Sequence, residues 1–287
     1  MTNPILSVVI PTRNRAHLVG EAIDSVLNQR PGEVEVIVVD DGSTDDTAKV
    51  IAEKFGSRIR LLRTPERRGA GAARNAGLRV ARGELIAFLD DDDVWLPGKL
   101  DAELTALARF PDADGVVSDS LIFVQGQVAP QSFFMRNGLL AATQGEVRWI
   151  NELPWLWTNS LNGVAMCSIT LRRRVLDQRG DKWFAEDLVS CEDWELEMWV
   201  YHHWRIVALP EVFAWIRRLD DGVRVGRATP GKPPTSEQEY LYLRDRLTVI
   251  ERSHWLRGLR SDLAAELENC REDTVRRLAR LETPETA

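Results

Sequence analysis

Four consecutive aspartates, Asp90 to Asp93, follow directly on the apolar run Leu85-Ile86-Ala87-Phe88-Leu89. Adjacent carboxylates repel one another, so such a cluster needs a cation, basic neighbours or free hydration. On these residues alone two readings stand: an oxygen-donor site for a divalent cation that holds a phosphate-bearing ligand, or a solvated acidic turn. Two further acidic clusters occur, Asp40-Asp41 and Glu192-Asp193 with Glu195. Basic residues accompany them: Arg13 and Arg15, and Arg67, Arg68 and Arg74 around Gly69-Ala70-Gly71. Guanidinium groups match phosphate geometry and could hold a diphosphate beside a metal.

The elements that must position these groups are legible as an alternation. Leu6 to Ile10, Val34 to Val39, Ile59 to Arg63 and Leu85 to Leu89 read as strands. Between them, Ala16 to Asn28, a segment capped by Ser43 or Thr44, and Gly71 to Ala81 read as helices, and Leu96 to Phe110 follows as another. The pattern predicts an α/β fold with a mostly parallel central sheet flanked by helices. Ligands of such sheets bind beyond the carboxyl ends of the strands. Asp40-Asp41 and Asp90 to Asp93 would then meet at one end of the sheet, which favours an acidic cleft over a wet turn.

The second half is less regular. Gly115 to Val124 and Val164 to Leu171 read as strands, with a loop-like region at 130–160 between them. Arg172 to Gln178 and Asp193 to His203 read as helices, and Arg205 to Leu209, with Phe213 to Arg217, as a further strand. Residues 226–234 have linker composition. From Ser236 to about Leu281 the chain reads as wholly helical, with Leu256, Leu259, Leu263, Leu267, Cys270, Leu278 and Leu281 at helical spacing. That extension is expected to pack on its own domain, with a homodimer contact or docking to a partner as alternatives.

Composition narrows the classes. The chain has 287 residues, 44% hydrophobic and 28% charged, with a net charge of −7. This is a globular composition that does not point to nucleic acid as a partner. Cys167, Cys191 and Cys270 are odd in number and widely spaced, which suits a reducing compartment. No apolar run reaches the roughly 18 residues of a membrane span. The expectation is a cytoplasmic protein, peripheral at most to the inner face of a membrane. Ten tryptophans suggest either core packing or an aromatic-walled pocket, with Trp149 to Asn162 and the region near Trp183 as its walls.

Two superficial motifs fail. Residues 69–76 (GAGAARNA) follow the third strand and place Arg74 where a dinucleotide fingerprint needs glycine. The aspartate run places Val94 and Leu96 at later ligand positions of an EF-hand loop and has no glycine turn.

Four segments in order, 7–15 (SVVIPTRNR), 38–45 (VVDDGSTD), 69–78 (GAGAARNAGL) and 88–93 (FLDDDD), resemble family 2 glycosyltransferases of the GT-A fold. The resemblance covers about residues 5–220. It implies transfer of a sugar, usually with inversion, from a nucleotide diphosphate sugar, typically a UDP sugar, with Mn²⁺ or Mg²⁺. It also implies roles. Pro11, Thr12 and Arg13 would line the nucleotide, Asp41 would accept from the base, and Arg74 would lie near the diphosphate. Asp90 and Asp92 match the metal-binding pair, and Asp93 would orient the donor sugar. Asp91 joins this donor-binding set without a distinct role. Glu192-Asp193 resembles the family's acidic pair at a helix start, with Asp193 as general base and Glu192 beside it. A charge pair favoured by the helix dipole is the simpler alternative.

Residues 1–225 would then be the catalytic domain, with a donor half at 1–118 and an acceptor half at 119–225. Residues 226–287 would be linker and helical extension. The acceptor, a glycan, lipid, peptide or small molecule, is not specified by these motifs. Many relatives carry a histidine near the segment matching Trp215 to Val223; here it is absent, so Arg217 or Arg218 is left to meet the diphosphate and Asp220 or Asp221 the ion. Two rivals differ in class. A nucleotidyltransferase would carry a glycine-rich basic loop at 11–15, where this chain reads PTRNR. A non-catalytic scaffold would have no need of the intact acidic clusters.

Overall fold

A computed structural model describes residues 3–124, 127–136, 138–150, 165–180, 183–218, 235–253 and 261–282. Its first half follows the expected alternation. Strand β1 (Leu6–Thr12) is followed by α1 (Val19–Leu27), β2 (Val34–Asp40), α2 (Thr47–Phe55), β3 (Arg60–Arg63), α3 (Ala70–Leu78) and β4 (Leu85–Phe88). Strand β1 pairs in parallel with β2 and β4, and β2 with β3.

The second half adds β5 (Val94–Trp95), α4 (Lys99–Arg109), β6 (Gly115–Val124), β7 (Gln127–Val128), α5 (Phe133–Arg136), α6 (Leu139–Thr143), β8 (Arg148–Trp149), β9 (Ile169–Arg172), α7 (Arg173–Asp177), α8 (Glu192–His203) and β10 (Ile206–Arg218). One sheet runs β3-β2-β1-β4-β9-β6-β10-β5. Strand β9 lies antiparallel to both β4 and β6, whereas β6 and β10 are parallel. Met166 to Ser168 form a short 3₁₀ turn, so the strand expected from Val164 begins only at Ile169.

Alternation along β1 divides the core. Leu6, Val8 and Ile10 face α1, α2 and α4, while Val9 faces α3 and α8 across the sheet. Gly77 explains how closely α3 can lie on the sheet. A Cβ there would sit 2.4 Å from Val9 Cγ1 and 3.3 Å from Val39 Cγ2. Gly42, at φ +67° just past β2, is the position where the chain must turn left-handed, and a Cβ there would meet the Glu66 carbonyl carbon at 2.8 Å.

The start of α2 differs from expectation. Neither Ser43 nor Thr44 caps it; Asp45 Oδ1 instead accepts from Thr47 N at 3.0 Å. The two hydroxyl residues are used to lace loops. Ser43 Oγ accepts from Asn14 N at 2.9 Å, and Thr44 N donates to Asn14 Oδ1 at 2.8 Å. The C-terminal region is helical, as expected. It is two helices, α9 (Ser236–Arg252) and α10 (Ser261–Glu282), packed on each other. Leu188, Met198, Val249, Ile250 and Leu267 form a third apolar cluster that joins these helices to α8 and the loop before it. Leu256 and Leu259 lie outside the described residues, as do Asp220, Asp221 and the linker 226–234.

Replacing Gly77 by alanine forces a methyl group into Val9 and pushes α3 off the sheet. Gly77→Ala is expected to lower stability by about 1–3 kcal/mol, read as a lower denaturant midpoint at unchanged slope.

Candidate active site

Strands β1, β2 and β4 end at the same edge of the sheet, and the segments beyond them wall a cleft of about 980 Å³. All eleven residues singled out above line it: Pro11, Thr12, Arg13, Asp41, Arg74, Asp90 to Asp93, Glu192 and Asp193. So do Arg15, Arg67 and Arg68. Convergence of this many charged groups from five chain segments is the spatial fact that sequence spacing could only suggest.

The aspartate run is divided by function. Asp91 turns inward, where Thr12 Oγ1 donates to its Oδ2 at 2.6 Å and Arg15 Nε lies 3.9 Å from its Oδ1. It ties the end of β1 to the aspartate loop, a role that sequence reading did not provide. Burial, with the charge of Asp92 adding to it against the Thr12 hydrogen bond, pushes its carboxyl up to about 7. Asp90, Asp92 and Asp93 each offer a carboxylate oxygen, and these three lie within 4.8 Å of one another. Hard oxygen donors so grouped fit Mg²⁺ or Mn²⁺. Asp93 thus shares the cluster with Asp90 and Asp92, and its Oδ1 also accepts from Arg217 N at 3.0 Å.

Arg74 is the centre of the charge arrangement. Nη1 donates to Glu192 Oε1 at 2.6 Å and Nη2 to Asp90 Oδ1 at 2.7 Å, while the guanidinium lies over the Phe184 ring at 5.3 Å. The residue is 4% exposed. Burial opposes its charge, but Asp90, Glu192 and Asp193 outweigh that and hold it firmly protonated. Arg74 Nε and Arg13 Nε are both buried without a hydrogen-bond partner among the described residues. Unsatisfied guanidinium donors in a cleft fit an anionic ligand such as a diphosphate.

Asp41 has a local duty as well. Its carboxylate accepts from Arg68 N and Gly69 N, both at 2.8 Å, and from Thr64 Oγ1 at 3.2 Å. It thereby shapes the entry to α3. Asn75, a residue sequence reasoning passed over, holds the far wall: its side chain donates to Phe184 O at 2.9 Å and accepts from Phe184 N at 2.9 Å. Asn75 also donates to Glu186, which pairs with Arg68 at 2.8 Å. The asparagine stands in the 69–78 segment, so its signal was present but had no partner in view.

Glu192 opens α8 and is buried; Asp193, beside it, is half-buried and lines the cleft. Burial, then the charge of Asp193, raises the Glu192 carboxyl to about 7 despite the pull of Arg74. Arg217 is committed elsewhere than expected. Its Nε donates to the Asp92 carbonyl and Nη1 to Glu21, which stitches β10 to the aspartate loop. Arg218 does line the cleft. No tryptophan is among the lining residues that are described. Trp149 packs edge-on against Phe110 at 5.3 Å, and Trp183 donates to Leu176 O at 2.7 Å, so these serve packing. Trp155 and Trp157 lie outside the described residues.

Comparison with known proteins agrees with this geometry. Residues 7–179 match the family described as Glycosyl transferase family 2, and the chain belongs to it. An Escherichia coli UDP-Glc:alpha-D-GlcNAc-diphosphoundecaprenol beta-1,3-glucosyltransferase is 38% identical over 109 residues, 38% of this chain and 43% of that one. The chain spans less than half the length of the first curated relatives it matches. The fold is of GT-A type. Staphylococcus aureus TarS 1–349 in complex with UDP-GlcNAc superposes with a TM-score of 0.63 at 24% identity, over 85% of this chain and 66% of that one. A Pyrobaculum calidifontis mannosyltransferase in complex with GDP-Man and Mn²⁺ gives 0.60 at 20% identity, over 88% and 65%.

The raised Glu192 carboxyl has a defined consequence for stability. Between its ordinary 4.5 and about 7, the folded protein holds a proton that the unfolded chain has released. Folding then takes up a proton, so stability falls as pH rises through that window. Glu192→Gln is expected to flatten this slope, with the part due to Asp91 remaining. Chemical denaturation at pH 5 and pH 7.5 in chelator reads it; an unchanged slope would refute the burial argument.

Proposed function

We propose that the chain transfers a sugar from a nucleoside diphosphate sugar, a UDP sugar by expectation, to an acceptor hydroxyl with inversion at the anomeric carbon. The observation that carries this reading is Arg74, which joins Asp90 of the acidic cluster to Glu192 at the start of α8 within one cleft. Donor-binding and base-bearing segments are thereby held against each other. The UDP expectation is supported by the names of the Escherichia coli relative and the TarS complex, although the mannosyltransferase complex shows a guanine nucleotide on a similar fold.

In this reading Asp90 and Asp92, with Asp93 in the same group, would hold Mn²⁺ or Mg²⁺. When bound, such an ion acts as a Lewis acid toward the charge that grows on the departing diphosphate. Arg13, Arg15 and Arg74 bring fixed positive charge to the same anion, and that charge needs no reorganisation as the bond breaks. Pro11, Thr12 and Asp41 would border the nucleotide. Asp193 would take the proton from the attacking hydroxyl, since it lines the cleft at the opening of α8 and has a carboxylate within one residue of the Arg74 bridge. Glu192, tied to Arg74, holds that end of α8 in place and is not available as the base. A single displacement with one base inverts the anomeric centre.

The acceptor remains a hydroxyl of unassigned class. The Escherichia coli relative is named for a saccharide on diphosphoundecaprenol, which supports a lipid-linked acceptor. Among the described residues, no helix is long and apolar enough to cross a membrane.

Three outcomes test the reading. Ligands that bind only the folded protein raise its melting temperature by mass action. UDP, GDP and their sugars are therefore expected to separate in a thermal-shift screen, and only with Mn²⁺ or Mg²⁺ present. Asp92→Ala should erase the metal-dependent shift and turnover together; turnover that persists across a metal titration would remove the metal assignment. Asp193→Asn should bind the donor normally and lose transfer by roughly 100-fold or more.

A further inference from the structure

Helix α9 lies outside the residues matched to the family, yet Gln238 and Tyr242 on it line the cleft. One turn beyond Tyr242 is Asp245, a carboxylate only 1% exposed. Its Oδ2 accepts from two consecutive backbone N–H groups, Val189 at 2.8 Å and Ser190 at 2.9 Å, and from Ser190 Oγ at 3.4 Å. Oδ1 is held by the Arg244 guanidinium at 2.6 Å. Further along α9, Arg252 pairs with Asp187 and lies 3.7 Å from Glu195 of α8. Leu188 and Met198 pack on Val249 and Ile250.

All these contacts fall on the segment that delivers the acidic pair. The residue after Ser190 is Cys191, in the left-handed region at φ 63° and at the N-cap of α8 with no side-chain cap. A non-glycine residue holds that conformation only when its surroundings over-determine it. Here the surroundings on one side are the Asp245 hydrogen bonds, and on the other the Arg74–Glu192 pair. The turn between them sets the direction in which α8 starts, and so where Asp193 stands.

We propose that Asp245 is the positioning residue for the candidate base: by clamping Val189 and Ser190 it sets the left-handed turn at Cys191 and holds Asp193 at the cleft. This rests on the reading of Asp193 as base. It goes further in making the C-terminal helix part of the active site, where the sequence suggested an appended extension. Two consecutive backbone N–H groups accepted by one carboxylate are charge-assisted bonds, and loss of the carboxylate leaves the buried Ser190 donor unsatisfied. Small displacements of a catalytic group cost far more rate than binding.

The test uses the full chain, with UDP release from UDP-glucose or UDP-GlcNAc in Mn²⁺ as the rate, UDP titration as the donor readout, and amide exchange at 187–191 as the structural one. Asp245→Ala is expected to speed exchange at Val189 and Ser190 and to lower kcat by about tenfold or more. KM and UDP affinity should stay within about twofold. Asp245→Asn, which keeps an acceptor oxygen, should recover most of the rate, and it serves as the test variant if the alanine form does not fold. Unchanged exchange in both variants, or a loss of UDP affinity as large as the loss of kcat, would overturn the proposal. Asp193→Asn separates the two claims. Wild-type kcat in that variant would remove the base assignment, while faster loop exchange in Asp245→Ala would still stand for the clamp.

Discussion

The site depends on one buried guanidinium. Arg74 sits where a cation is costly unless compensated, and two carboxylates compensate it from opposite sides: Asp90 beyond β4 and Glu192 at the start of α8. Those partners are 16 and 118 residues away along the chain. Glu192 in turn tolerates its burial because Arg74 is there, whereas the Asp90 carboxylate also reaches solvent. Asp90 belongs to an acidic run, and Glu192 adjoins Asp193. Remove the guanidinium and the acid clusters on the two walls lose the cation that bridges them. The close packing of α3 on β1 and β2, which Gly77 permits, is what brings Arg74 to this point.

The other charges divide between holding the cleft open and facing what enters it. Asp41 fixes the turn into α3 through backbone N–H groups, and Asp91 braces the aspartate loop against Thr12. These carboxylates shape the backbone. Asp90, Asp92 and Asp93 then present grouped oxygens because the chain beneath them is fixed. A cluster of acids on an untethered loop would spread apart by repulsion; here the loop geometry opposes that tendency and so favours a cation between them. Arginines from three segments supply the complementary sign for a diphosphate. The result is preorganised charge of both signs, a feature of sites that stabilise charge transfer.

Much of this was legible in sequence. The apolar runs before Asp40 and Asp90 placed both clusters at one sheet edge, and the structure brings Pro11, Thr12, Arg13, Asp41, Arg74, Asp90 to Asp93, Glu192 and Asp193 to the same cleft. What could not be read was partnership over distance. Asp91 lacked a role because its partner Thr12 is 79 residues away. Arg217 looked available for a diphosphate because nothing local shows that it reaches Glu21 and the Asp92 carbonyl. Ser43 was expected at a helix cap, but a tertiary hydrogen bond to the Asn14 backbone claimed it. The C-terminal apolar repeat reads as wholly helical, but period alone does not reveal that it is two helices packed on each other. A signal that was missed is Thr235-x-x-Gln238, whose capping box opens α9 in the structure.

A second buried network explains why the floor of the cleft can be stiff. Lys99 and Glu103 pair with no exposure at all, Thr170 Oγ1 donates to Glu103 at 3.0 Å, and the Lys99 ammonium lies 4.6 Å from the Trp95 ring centroid. Trp95 follows the aspartate run by two residues, and its Nε1 donates to Cys167 O at 2.8 Å, while Cys167 itself lines the cleft. A buried ion pair contributes little net stability against an apolar substitute, because desolvation offsets the attraction. Its value lies in direction. Each member is satisfied only in one arrangement, so α4, β9 and the chain after Asp93 are locked in register. Apolar packing alone would let the aspartate loop slide by fractions of an ångström; a satisfied polar network under it resists that movement. The same logic recurs at Asp245 on the opposite wall. Both sides of the cleft are thus set by buried charges whose partners come from distant segments, and the groups that face the ligand sit on the short stretches between them.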